Sequence, residues 1–136
     1  MREELDKKLC EKYPEIFADR RKPMTETAMC WGFEHGDGWY NILDRLCANI
    51  QHYIEWKNRD GDTVPQVVAE QVKEKFGTLR FYYRGGDDYI RGLVNMAEAV
   101  TEVTCEECGA PGKTRGTGWI YTACDTHTKP EHLEER

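Results

Sequence analysis

Two pairs of metal-ligand side chains stand near the end of this 136-residue chain: Cys105 and Cys108 in CEECGAPG, then Cys124 and His127 in CDTH. Each pair encloses two residues, and fifteen residues separate the pairs. Zinc takes four thiolate or imidazole donors in a tetrahedron, and C-x-x-C lets two sulfurs converge while backbone amides face them. Gly109, directly after the second cysteine, suits the positive φ of such a knuckle turn. Gly112, Gly116, Gly118 and then Trp119-Ile120-Tyr121 read as a short hairpin that returns Cys124 to the first pair. The spacing therefore predicts a treble-clef or zinc-ribbon-like finger holding one structural Zn2+ on Cys105, Cys108, Cys124 and His127. Four protein ligands close the coordination sphere, whereas a catalytic zinc keeps a position for water. His132 competes for the fourth place from a longer spacing. The plainer alternative, a redox dithiol, needs no matching C-x-x-H.

Two weaker clusters follow. Lys73, Lys75, Arg80 and Arg84 flank a turn beside Phe76, Tyr82 and Tyr83, where cations could meet a phosphate while a ring stacks a base. The ordinary alternative is a solvated strand face, and Glu70 and Glu74 dilute the charge. Trp31, His35 and Asp37 sit in a glycine-flexed loop with Glu34 and Trp39, a composition that can line a pocket. The ordinary alternative has Asp37 as a helix N-cap and Trp31 and Trp39 as core anchors. Cys47 falls on the apolar face of a helix and reads as a small core residue.

The elements that position these residues show in the apolar spacing. Leu5, Leu9 and Tyr13 predict a short amphipathic helix ending near Pro14, and Ala28–Phe33 reads as a short extended piece. Trp39, Ile42, Leu43, Leu46, Cys47, Ile50, Tyr53 and Ile54 predict a long helix over 39–58. Alternation on both sides of Phe76–Gly77 predicts a β-hairpin, with a helix over 65–75 left open because Glu, Gln and Lys are good helix formers. Gly85-Gly86-Asp87-Asp88 ends the second strand and caps another helix. Ile90, Leu93, Val94, Ala97, Val100 and Val103 form its apolar face. The expected fold is α+β: two main helices packed on a β-hairpin across residues 1–104. The finger, 105–128, should pack on that core and hold the chain's tail onto the second main helix, leaving 129–136 as a polar tail.

Composition narrows the function. The chain is 39% hydrophobic and 11% aromatic with mean hydropathy −0.79 and net charge −6, so it is acidic yet aromatic enough to bury a core. Nucleic-acid binders carry a basic surplus, and residues 101–136 hold seven acidic against four basic side chains, which argues against nucleic acid as a partner for the finger. No apolar run suits a membrane span or a signal peptide, which predicts a cytoplasmic protein with reduced cysteines and no membrane partner.

Together KEKFGTLRFYY, the GDGW before the long helix, and CEECGAPG…GW…CDTH resemble a group of small accessory proteins recurrent in phage and prophage genomes. The resemblance spans about Tyr13 to His127 and brings no activity with it. It implies a viral protein working in the bacterial host cytoplasm, where the expected partner is a host or defence protein that it binds and inhibits. A nucleotide-binding or sequestering protein is the alternative, using the cationic hairpin and the Trp31–Trp39 loop. A small hydrolase built on His35 and Asp37 ranks below both.

Overall fold

The structure, a computed structural model, describes residues 1–133. Three α-helices and a small mixed sheet make an α+β core, with the finger as a two-stranded annex. Helix α1 (Glu3–Lys12) buries Leu9, and Tyr13, Ile16 and Phe17 follow it into the core. The segment expected to be extended instead forms a 3₁₀ turn, Met29–Trp31, before strand β1, Phe33–Glu34. The long helix α2 (Tyr40–Arg59) buries Leu43, Leu46, Cys47, Ile50 and Ile54 on one face, as its periodicity predicts.

Strands β2 (Val68–Lys75) and β3 (Thr78–Arg84) form the expected antiparallel hairpin, and the helix alternative over 65–75 is displaced. The two turn residues Phe76 and Gly77 both have positive φ, 53° and 80°, the backbone of a type I′ hairpin turn. The Glu74 carboxylate accepts the Gly77 N–H and stabilises this turn. Strand β1 pairs parallel with β2, a geometry that requires a long crossover, which α2 supplies. The sheet is thus three-stranded and mixed rather than a lone hairpin, and three helices accompany it; β1 is too short to leave a periodicity.

Helix α3 (Asp88–Thr101) begins at Asp87, whose carboxylate caps the Ile90 N–H. It buries Ile90, Val94 and Ala97 but leaves Val100 exposed, and Val103 lies exposed beyond its end, so the apolar face is shorter than the spacing suggests. It also covers the free edge of β3, because the Thr101 hydroxyl accepts the Leu79 N–H and Glu98 accepts the Phe81 N–H. Gly92 lies inside α3 with no atom within 4 Å of an added Cβ. Gly92→Ala is therefore expected to stabilise the protein by about 0.5–1 kcal/mol, read as a raised denaturation midpoint with an unchanged slope.

Candidate metal centre

Helix α3 runs directly into the knuckle. Thr104 bridges to Pro111, the Cys105 N–H donates to the Ala110 carbonyl, and the Gly109 N–H returns to Cys105 O. Gly109 takes φ +82°, the left-handed conformation its position requires. Strands β4 (Lys113–Arg115) and β5 (Tyr121–Ala123) form the returning hairpin, and a 3₁₀ turn at Asp125–His127 follows Cys124 and carries His127. The buried Arg115 guanidinium ties the parts together, donating to Ala123 O and, at 2.8 Å, to Asp125.

The donor atoms of Cys105, Cys108, Cys124 and His127 all lie within 4.8 Å of one another. Cys108 Sγ is 3.7 Å from Cys124 Sγ, while His127 Nδ1 is 3.7 Å from Cys105 Sγ and 3.2 Å from Cys124 Sγ. A tetrahedron with ordinary zinc bond lengths has edges of about 3.8 Å between sulfurs and about 3.6 Å between sulfur and nitrogen. The four groups could hold a metal ion. His132 is held elsewhere, its Nδ1 2.6 Å from the Tyr121 hydroxyl. Burial opposes ionisation of Cys124, but the His127 and Thr126 N–H groups and the neighbouring thiols hold it below the ordinary thiol range. Such N–H donors facing sulfur stabilise a thiolate ligand.

The finger locks onto the core at a place the spacing did not indicate. It docks against the GDGW turn ahead of α2 and the hairpin turn, rather than along the second main helix alone. The Gly38 N–H donates to Glu106 O at 2.7 Å, the Gly36 N–H to the Glu106 carboxylate, and Trp39 Nε1 to Thr104 O at 3.0 Å. The Thr122 hydroxyl donates to Gly77 O. A Cβ on Gly38 would stand 2.2 Å from Cys105 O, so any side chain there must displace the knuckle backbone. In the sequence, the GDGW motif marks this contact.

Asp37 is not the N-cap of α2. Its carboxylate accepts the Arg2 backbone N–H at 2.7 Å and pairs with the Arg2 guanidinium, while a 3₁₀ turn over Asp37–Trp39 starts the helix. His35 is buried against Phe33 and Trp39, and Trp31, read from sequence either as pocket-lining or as a core anchor, is 61% exposed. These three side chains do not meet at one mouth.

In the hairpin, Lys73 stands opposite Arg80 and Gln71 opposite Tyr82. That register puts Lys73, Lys75, Arg80 and Tyr82 on one face, with Val72, Leu79 and Phe81 buried on the other. A bulge between Ala69 and Gln71 shifts the end of the strand, and Arg84 there forms an ion pair with buried Asp19 at 2.8 Å. The guanidinium holds the Asp19 carboxyl below the usual carboxylate range.

His35 supplies a pH prediction. Its Nδ1 lies 2.7 Å from the Gly36 carbonyl and so donates, leaving Nε2 buried with no partner among the described residues. Burial lowers its pKa to about 4 from an ordinary 6.5, because a proton on Nε2 would have no acceptor. Between those values the unfolded chain binds a proton that the folded chain excludes. Stability should therefore fall as pH drops from about 6.5 to about 4, by roughly 3 kcal/mol from this group. His35→Leu should flatten that part of the curve relative to the parent protein, since acid effects on the Cys105–His127 cluster are common to both. Parallel curves for the two proteins would refute the assignment.

No helix among the described residues is long and apolar enough to cross a membrane. Comparison with protein-family models, curated proteins and solved structures finds no match to this chain.

Proposed function

We propose that Cys105, Cys108, Cys124 and His127 hold one structural Zn2+, and that the domain is a protein-binding module. In the setting implied by its phage-like motifs, it acts by occupying and inhibiting a host or defence protein in the bacterial cytoplasm. The observation that carries this reading is the closed donor set, with edge lengths near those of a zinc tetrahedron. A metal held by four side chains serves architecture, here by keeping the finger on the core. Large aromatics at the surface, Trp119 at 75% and Phe76 at 67% exposure, support a contact role, since such side chains anchor protein interfaces.

The test has two arms. Elemental analysis of gently purified protein should give one zinc per chain, and a metal-free preparation with intact finger structure would overturn the zinc assignment. Affinity capture from a bacterial lysate, followed by reconstitution with the purified captured protein, should give a stoichiometric complex and inhibition of that protein. Failure to reconstitute any complex would overturn the binding reading. The alternative, a nucleotide on the outer hairpin face, is favoured by the Lys73–Arg80 register. It requires salt-sensitive binding of a nucleotide that is lost on reversing charge at Lys75 and Arg80.

A further inference from the structure

Between the hairpin tip and the finger lies a cleft of about 340 Å³. Glu74 reaches it from β2, Glu106 and Glu107 from the knuckle, and Trp119 and Tyr121 from the finger hairpin. It is distinct in chemistry from the metal centre, although His127 contributes to its wall. Among the described residues none of the three glutamates forms an ion pair. Two of them are oriented by backbone: Glu74 accepts the Gly77 N–H at 2.8 Å and Glu106 accepts the Gly36 N–H at 2.9 Å. Lys129 also lines the cleft, so the wall remains anionic by two formal charges, three carboxylates against one ammonium.

Carboxylates in a cleft beside an exposed indole have a definite chemical complement. An indole face attracts a cation through its quadrupole, and carboxylates attract the same cation by charge and hydrogen bonding. Guanidinium meets both demands at once, because it is flat enough to stack and forked enough to bond a carboxylate through two N–H groups.

We propose that this cleft receives an arginine side chain of a protein partner, its guanidinium stacked on Trp119 and bonded to the glutamates. The proposal rests on the reading of the domain as a protein-binding module, and it names the chemistry that the partner must present. The overall charge of −6 agrees in sign, since it favours encounter with a basic surface.

The test is an NMR titration of the metal-loaded, full-length protein with the acetylated, amidated tripeptide Gly-Arg-Gly. The same tripeptide with citrulline, which has the shape of arginine without its charge, is the control. The arginine peptide should shift the Trp119 indole N–H and the Glu106 and Glu107 amides, and the citrulline peptide should leave them in place. Trp119→Ala and Glu107→Gln, both at exposed positions, should each weaken binding about fivefold while leaving the remaining spectrum intact. Equal shifts with citrulline, or no shift at Trp119, would overturn the proposal. So would saturation of the same resonances by millimolar Ca2+ or Mg2+ that abolishes the peptide response, since the glutamates would then be a divalent-cation site. The titration needs no partner: a silent cleft beside a reconstituted complex removes only the arginine proposal. A responsive cleft with no complex removes only the wider reading.

Discussion

Cys124→Ser should yield a protein that purifies without its metal and is less stable by several kcal/mol, because structural metal binding contributes directly to folding free energy. Cys124 is the best single target. Its sulfur is 3.7 Å from Cys108 Sγ and 3.2 Å from His127 Nδ1, so its loss opens the second ligand pair and the knuckle together. The damage should be local before it is global. The hydrophobic cluster of the core draws on α1, α2, the sheet and α3, and among the described residues it includes none beyond Ala97. Removing the metal from the parent protein with a chelator should therefore abolish amide protection over 105–128 and leave α2 and β2–β3 protected, a sub-global opening. Zinc should restore both protection and melting temperature. If chelation leaves the melting temperature and exchange pattern unchanged, the four side chains do not hold a metal that matters to the fold.

What could be read from the sequence depended on distance along the chain. The ligand pairs are local, two residues apart within each pair, so spacing alone was enough to group Cys105, Cys108, Cys124 and His127. Helix α2 and the β2–β3 hairpin were legible for a similar reason, since periods of 3.6 and 2 appear within a short window. Contacts made across the chain left no such trace. Asp37 has the residue type and place of an N-cap, yet its carboxylate is taken by Arg2, thirty-five positions away. Strand β1 has two residues, too few for alternation, and exists because β2 offers it an edge. The cationic face of the hairpin required a register, and register is set by pairing rather than by composition. The arginine cleft lies at the far end of this scale, since Glu74, Glu106 and Trp119 meet only when the finger is docked.

That docking is the subject of the second large effect. Trp39 is fully buried, packs beside His35 with ring centres 5.6 Å apart, and donates its indole N–H to Thr104 O just before the knuckle. Trp39→Ala should destabilise the protein by roughly 3–5 kcal/mol, the range for removing a buried aromatic. Trp39→Phe keeps most of the apolar volume but leaves the Thr104 carbonyl without its donor, so about 1–3 kcal/mol is expected. One position earlier, steric contact replaces hydrogen bonding. A methyl group added at Gly38 would meet Cys105 O at 2.2 Å and Gly109 N at 2.6 Å, so Gly38→Ala must push the knuckle backbone away from the core. Overpacking of this kind costs roughly 1–3 kcal/mol or more. Gly118→Ala is the control, because no atom lies within 4 Å of its added Cβ. The informative readout is metal retention. Gly38→Ala touches no ligand side chain, yet it strains the backbone that carries Cys105, so its metal should transfer to a competing chelator faster than in the parent protein or in Gly118→Ala. Equal transfer rates in all three proteins would mean that the knuckle holds its geometry without the core, and that the GDGW contact only anchors a finger already formed.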